Sequence, residues 1–320
     1  MKDSTTDTTP PESPAPSETG KTRKPATKRP PRKGLAPQRY IQRDFFYADL
    51  VDVSPKGDRH SMEHPFYSLK KQADTEIRQY QHNDVEITIK PSVIGMPTIW
   101  DKDIMIYATS QLVEGINSGR KDASNRTVRF IAYDYFVATE RGTSGAEYEA
   151  LEKGLERLEG VRIKTNIAGG GKRDRRGFGM IESWKIVERE HDDRMAAIEI
   201  TLSTWAFNAI KELEVLSINR DYFRLTGGLE RRLYELARKH CGNQPTWTVS
   251  EEILFKKSGS TGNIREFRRL LKAIIAADSI PDYRMRYHEQ KRQIQFYTKD
   301  MKALTTEALG SLFAGTAAQK

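Results

Sequence analysis

The chain has 320 residues, of which 37% are hydrophobic and 30% charged, with a formal net charge of +9. This length accommodates about two domains with tails, and the basic charge favours an anionic partner, either nucleic acid or a membrane surface. The sequence lacks both a run of about 18 apolar residues and an N-terminal apolar segment, which excludes a membrane-spanning helix and a secretory signal. Cys241 is the single cysteine, so an internal disulfide and a multi-cysteine zinc site are excluded and a reducing cytoplasm is expected.

Residues 1–40 are predicted to form a disordered, Pro-rich N-terminal tail. They contain eight of the chain's 14 prolines and almost no large apolar side chains, so burial cannot offset the entropy of ordering them. The basic residues lie mainly between Lys21 and Lys33. Two interpretations remain open: a basic arm that adds phosphate contacts, or a tail that only improves solubility.

Residues 41–220 are predicted to form a first α+β domain. The expected strands are Phe66–Leu69, Val85–Ile89 and Thr127–Ala132, and the expected helices are a long one capped by Asp101 and one over Ser144–Gly160. The polar face of the second helix carries five glutamates between Glu147 and Glu159. A phosphate backbone would repel that face, so it is a poor candidate for the major groove.

A glycine-rich segment then separates two predicted strands, Val161–Ile167 and Phe178–Glu188. Glycine lets the backbone approach a groove closely, and basic side chains there can follow a minor groove or contact phosphates. The sequence therefore predicts a hairpin that contacts DNA, although a flexible basic loop fits the same pattern. The candidate residues at its tip are Lys172, Arg173, Arg175 and Arg176.

Residues 221–300 are predicted to contain three helices followed by a hairpin. Leucines from Leu229 to Leu236 form the apolar stripe of the first helix, and Gly242 ends it. Thr248 and Glu251 match a capping box that opens the second helix. Asn263 and Glu266 match another capping box, which opens a third helix that ends near Asp278 because Pro281 follows.

The third helix, Asn263–Ala277, has two opposed faces. Ile264, Phe267, Leu271 and Ile274 have the spacing of an apolar stripe. The other face holds Arg265, Arg268, Arg269 and Lys272 and no acid. Such a face is predicted to lie in the major groove of DNA, while an ordinary solvated basic face remains the alternative.

Period-two alternation on either side of a polar turn at Glu289–Gln293 predicts a β-hairpin over Tyr283–Thr298. Its candidate phosphate contacts are Arg284, Arg286, Lys291 and Arg292. Helix, helix, basic helix and hairpin in this order are typical of a winged helix. Together with the earlier helix and glycine-rich hairpin, the pattern predicts an α+β fold with two tandem winged-helix domains, at 41–220 and 221–300, and a C-terminal tail at 301–320.

Catalytic and cofactor sites are not expected. Arg173 follows Gly169–Lys172 where a phosphate-binding loop needs Ser or Thr. His60 and His64 are four residues apart, but Pro65 follows and the glutamate of a zinc-protease helix is missing. The sequence thus predicts a protein without enzyme activity, cofactor, metal or membrane contact. A metal-dependent nuclease remains the less favoured alternative.

The chain resembles the plasmid replication initiators of the replication initiator protein A type, which are related in fold to the RepA and TrfA initiators. The resemblance runs from about Phe46 to Lys299. The phrases that carry it are Met180–Ile186 (MIESWKI), Thr201–Asn208 (TLSTWAFN) and Asp221–Ala237 (DYFRLTGGLERRLYELA).

The resemblance implies binding to repeated double-stranded sites at a plasmid origin, duplex opening, and recruitment of a host replication initiator and helicase. It also implies a monomer–dimer equilibrium in which the homodimer represses the initiator's own gene. Carried over by position, the helix from Arg265 to Lys272 becomes the principal DNA contact. A winged-helix transcriptional repressor remains an alternative that the residues do not distinguish.

Overall fold

A computed structural model describes residues 44–166, 175–188, 195–242 and 244–300. Its strands are β1 (Phe46–Tyr47), β2 (Lys56–Asp58), β3 (Arg78–His82), β4 (Val85–Lys90), β5 (Thr127–Phe130), β6 (Arg162–Thr165), β7 (Arg176–Phe178), β8 (Ile181–Glu188), β9 (Met195–Leu202), β10 (Val215–Ser217), β11 (Thr246–Ser250), β12 (Tyr283–His288) and β13 (Gln293–Thr298). Its helices are α1 (Arg59–Glu63), α2 (Lys102–Asn117), α3 (Ala132–Ala138), α4 (Gly145–Gly160), α5 (Thr204–Lys211), α6 (Gly228–His240), α7 (Glu251–Ser258) and α8 (Ile264–Ala277). The predicted α+β class is confirmed, and the predicted tails, 1–40 and 301–320, lie outside the described residues.

A first hydrophobic core surrounds α2. Thirteen of the sixteen residues of α2 are buried, as is typical of a helix packed on all sides. Two four-stranded sheets, ordered β1-β5-β9-β8 and β3-β4-β6-β7, contribute side chains to this core together with α4. All pairs in these sheets are antiparallel except β1 with β5.

A second core lies between α6, α7, α8 and a three-stranded antiparallel sheet ordered β11-β13-β12. Phe267, Leu271 and Ile274 of α8 are buried in it, which confirms most of the predicted apolar stripe; Ile264 is only half-buried. Burial of each such side chain contributes about 1.5–3 kcal/mol. Cys241 is a buried residue of this core.

The predicted cap at Thr248 is wrong. Thr248 lies in β11, and Ser250 caps α7 instead by accepting a hydrogen bond from the backbone N–H of Ile253 at 3.3 Å. The reason is tertiary: β11 pairs with β13, and Trp247 stacks on Phe296 with ring centroids 4.9 Å apart. Thr248 pairs with Gln295, 47 positions along the chain, and a local capping pattern carries no information about a partner at that distance.

Two predictions in the first part of the chain also need correction. Phe66–Leu69 is not a strand; only an isolated bridge joins Ser68 to Thr98. The stretch predicted as one returning strand, Phe178–Glu188, divides between two sheets. Phe178 belongs to β7, which pairs with β6, whereas β8 pairs with β9 in the other sheet, so the hairpin formed by β6 and β7 is short.

Asp101 precedes α2 as predicted, but its side chain does not cap the helix. It accepts a hydrogen bond from the backbone N–H of Thr98 at 2.7 Å and two from the guanidinium of Arg157, both at 2.8 Å. The carboxylate therefore joins α2 to α4, because an arginine of α4 occupies both of its oxygens.

Buried ion pairs join α2 to α6, and thus one core to the other. Asp103 accepts hydrogen bonds from Arg231 at 2.7 and 3.0 Å, and Lys102 pairs with Glu235 at 2.7 Å. Arg232 donates to the carbonyl oxygen of Ser61 at 2.7 Å. Since a buried charge without a partner is costly, these contacts fix α6 against the first core.

Candidate nucleic-acid interface

The exposed face of α8 is the most prominent candidate surface. Asn263 caps the helix by accepting a hydrogen bond from the N–H of Glu266 at 2.9 Å, as the sequence predicted. Left-handed Asp278, with a φ of 45°, ends it. The exposed side chains are Arg265, Glu266, Arg269, Leu270, Lys272, Ala273, Ala276 and Ala277. Small and basic side chains along one face leave room for a helix to approach base edges and phosphates.

Three of the four predicted basic residues on α8 have a carboxylate partner within the protein. Arg269 pairs with Glu266 at 2.6 Å and Lys272 pairs with Glu289 of the β12–β13 turn at 2.6 Å. The hydrogen bond with Arg269 lowers the pKa of the Glu266 carboxyl. The expectation of a face without acid is therefore wrong, because Glu266 lies beside the basic residues and the hairpin supplies another carboxylate.

Arg268 differs from its neighbours in that its partner is buried. Its Nε and Nη2 atoms donate to Oε1 and Oε2 of Glu251, both at 2.6 Å, and the Glu251 side chain is 1% exposed. The hydrogen bond to Glu251, with a second to Tyr287, raises the pKa of Arg268 above its ordinary value. Arg268 thus joins α8 to the start of α7 and to the hairpin. Its partner Glu251 lies 17 residues earlier in the chain, so no local pattern in the sequence links the two.

Arg265 has no ion-pair partner in the part of the chain that the structure describes. It is exposed on the first turn of α8. Its guanidinium is available to an external acceptor without breaking an internal contact.

The hairpin of β12 and β13 flanks α8. Arg286 and Lys291 are exposed, as is Arg292, whose backbone is left-handed with a φ of 46°. Arg284 is also exposed and lies 3.3 Å from a carboxylate oxygen of Asp278. The structure therefore places Arg284 and Arg286 on β12, against which α8 packs directly, and Lys291 and Arg292 in the turn between β12 and β13.

The predicted cations of the first hairpin are only partly described. Arg175 and Arg176 are exposed, and Arg176 lies opposite Thr165 of β6. Lys172 and Arg173 lie outside the described residues. That Lys172, Arg173, Arg175 and Arg176 contact DNA remains a prediction.

His60 and His64, the two histidines considered as metal ligands, have different surroundings. His60 hydrogen-bonds Glu214 at 2.7 Å, and His64 is buried, where burial lowers its pKa to about 3. Among the described ranges, no group of three or more His, Cys, Asp or Glu side chains is arranged to hold a metal ion. None of the helices in those ranges is both long and apolar enough to cross a membrane.

Comparison with known proteins places this arrangement in a family. Residues 56–285 match the family described as "RPA: Replication initiator protein A". The chain belongs to this family of replication initiators. The family-level resemblance seen in the sequence is thereby confirmed, and the match spans both cores.

The initiator is also similar to a protein of Wigglesworthia glossinidia brevipalpis described as a "Putative replication protein". The two are 42% identical over 257 residues, which is 79% of this chain and 93% of the relative. Among solved structures, domains 2 and 3 of RctB align with a TM-score of 0.51 at 11% identity, covering 73% of this chain and 95% of that one. At this identity the structural likeness concerns the fold alone.

Replacing Arg268 by alanine is expected to affect stability more than DNA discrimination. The change leaves the buried Glu251 carboxylate without its guanidinium, and we expect the Tm to fall by roughly 5 °C. Thermal unfolding followed by circular dichroism measures this, with Arg265→Ala on the same helix as the control, which should leave the Tm nearly unchanged. An unchanged Tm combined with lost preference for the specific site would instead assign Arg268 to base contact.

Proposed function

We propose that this initiator is a sequence-specific DNA-binding protein that binds repeated sites at a plasmid origin. The observation that carries the proposal is the exposed face of α8, where Arg265, Arg269 and Lys272 lie beside Ala273 and Ala276. Arginine side chains pair with guanine edges, and small apolar side chains contact the thymine methyl group in the major groove. Membership of the initiator family and the net charge of +9 support the same function.

A winged-helix arrangement of residues 221–300 is part of the proposal. The order α6, β11, α7, α8, β12, β13 and the sheet order β11-β13-β12 support it. In such a unit α8 enters the major groove and the β12–β13 hairpin contacts the adjacent backbone through Arg286, Lys291 and Arg292. We extend the proposal to a second winged helix in residues 41–220, which is supported by α4 followed by the β6–β7 hairpin.

We further propose that binding leads to opening of the origin duplex and recruitment of a host replication initiator and helicase. A homodimer in equilibrium with the monomer would repress the initiator's own gene, and the protein would act in the cytoplasm without catalytic chemistry. A plain winged-helix repressor is the second candidate, supported by the same α8 face. Permanganate reactivity of origin thymines in the presence of the protein separates the two, since only an initiator should open the duplex.

The test of DNA recognition is fluorescence anisotropy with two duplexes across a salt series. One carries the repeats beside the protein's own gene, and the other has the same composition scrambled. We expect the dissociation constant for the scrambled duplex to exceed that for the specific duplex by a factor of about 10³ or more at physiological salt. Equal and steeply salt-dependent binding to both probes would contradict sequence recognition. Nicking of supercoiled plasmid with Mg²⁺ or Mn²⁺ would contradict the absence of enzyme activity.

A further inference from the structure

The sheet β3-β4-β6-β7 has one face in the first core and one face in solvent. Ile87, Ile89 and Ile163 point into the core and are each 1% exposed. Since side chains alternate along a strand, the residues between and beside them lie on the outer face. In the register of the sheet, Lys90 is opposite Arg162 and Lys164 is opposite Gly177.

This outer face carries positive charge that no carboxylate among the described residues neutralises. Lys90, Arg162 and Lys164 are exposed, as is Arg175 immediately before β7. In the described part of the chain, none of these four side chains forms an ion pair with a carboxylate; Arg162 donates only to backbone carbonyls, at 3.1 and 3.4 Å. The contrast with α8 is direct, because three of its four cations have glutamate partners.

The arrangement is unfavourable without an anion. Lys90 and Arg162 lie directly opposite one another, and like charges in that position destabilise a sheet. Glu86 is the acid on the same face of β4, but it is four residues from Lys90, or about 13 Å along the strand. A ligand with several negative charges would remove the repulsion that these side chains otherwise impose.

The cations converge on a shallow cavity. Its volume is about 320 Å³, and its lining residues include Lys90, Arg162, Lys164 and Arg175, with Gly177 between them. The position of a Cβ atom on Gly177 has one neighbour within 4 Å, the carbonyl oxygen of Ile163 at 4.0 Å. The floor of the cavity is therefore open to a bulky anionic group such as a phosphodiester.

The sheet also contacts the turn that leads into α8. Arg78 of β3 donates a hydrogen bond to the carbonyl oxygen of Gly259 at 2.9 Å, and Gly259 ends α7. Neighbouring strands are about 4.8 Å apart, so β6 lies about 10 Å from β3 across the sheet. Duplex DNA presents one negative charge per about 1.7 Å of its axis, so a duplex that extends beyond α8 offers phosphates at close intervals along its length.

We propose that the outer face of β3-β4-β6-β7 binds the phosphate backbone of duplex DNA that flanks the site contacted by α8. Lys90, Arg162 and Lys164 are the new contacts, and they extend the predicted basic hairpin into a sheet surface. This inference rests on the proposed DNA-binding function. It adds a contact that strengthens binding equally for all sequences, because phosphates carry no base identity.

The test uses the double variant Lys90→Gln, Lys164→Gln in the full chain. On a duplex with long flanks, we expect the slope of log affinity against log salt concentration to decrease in magnitude by about 2. The ratio of the affinities for the specific and scrambled duplexes should stay unchanged. A short duplex that ends at the specific site should bind both proteins alike. The matched control, Lys121→Gln, Lys153→Gln, makes the same change in net charge at two exposed positions away from this sheet and should keep the original slope.

The outcomes separate this inference from the proposed function. If the unaltered protein fails to distinguish specific from scrambled DNA, the proposed function fails. If the unaltered protein distinguishes the two duplexes but the folded double variant keeps the same dependence of affinity on salt concentration, the sheet face does not bind the DNA backbone. If the variant loses affinity only for single-stranded DNA of the same length, the assignment to flanking duplex is overturned. Circular dichroism melting verifies that both variants are folded.

Discussion

Replacing Asp103 by asparagine is expected to lower the free energy of unfolding by about 3–5 kcal/mol. Asp103 is 0% exposed and accepts hydrogen bonds from Arg231 and Arg141, the latter at 2.9 Å. Asparagine keeps the size of the side chain but removes the charge that neutralises the buried guanidinium of Arg231 and the half-buried one of Arg141. Urea denaturation followed by tryptophan fluorescence measures the loss.

The electrostatics of Arg231 explain the size of this effect. Burial disfavours its charged form, yet the neighbouring Asp103 carboxylate raises the pKa of Arg231 above its ordinary value. An arginine side chain stays protonated even when buried, so after the substitution Arg231 keeps its charge and has only neutral acceptors. These are the carbonyl oxygens of Phe223 and Leu225, at 3.0 and 2.8 Å, and the amide oxygen of the new asparagine. A buried charge left in this state is more costly than the ion pair was stabilising.

The control for Asp103→Asn is Asp52→Asn. Asp52 is 88% exposed and lies 3.6 Å from Arg220, and an exposed pair of this kind contributes less than about 1 kcal/mol. Asparagine also tolerates the left-handed backbone at this position, where φ is 55°. If the two substitutions had equal effects, the buried ion pair between α2 and α6 would not join the two cores energetically.

The double variant Arg265→Ala, Arg269→Ala is expected to lose about 100-fold of its preference for the specific duplex. Both guanidinium groups are exposed on α8, and each can make a bidentate contact to guanine that discriminates roughly 10-fold or more against another base. Affinity for scrambled DNA should fall much less, since the hairpin and sheet cations remain. Anisotropy titrations with the specific and scrambled duplexes at one salt concentration give the ratio directly.

A matched double variant, Arg220→Ala, Arg224→Ala, controls for the loss of two positive charges. Both side chains are exposed, at 60% and 66%, on a short 3₁₀ helix that lies before α6. This variant should keep the preference for the specific duplex. Equal loss in both variants would mean that net charge, and not the α8 face, determines recognition.

Local sequence patterns were sufficient to predict an element where the contacts that form it join residues close together in the chain. Asn263 caps α8 three residues away, and Phe267, Leu271 and Ile274 follow the period of a helix, so the bounds and buried face of α8 were predictable. The hairpin of β12 and β13 was predictable for the same reason, because period-two alternation and a polar turn specify it. The family phrases within Met180–Ala237 were also local, and the family they indicated is confirmed.

Contacts between distant segments of the chain determined the ion-pair partners of the α8 cations and the position of β11. The sequence placed four basic residues on α8, but only the fold brings Glu251 of α7 and Glu289 of the hairpin to Arg268 and Lys272, each 17 residues away. The strand β11 was missed because its partner, β13, lies far along the chain. Local propensity and periodicity act over a few residues, whereas strand pairing and buried ion pairs depend on which segments pack together. The sequence alone thus determined the family, the fold class and the faces of α8, while tertiary packing decided which of its cations remain free to bind an external anion.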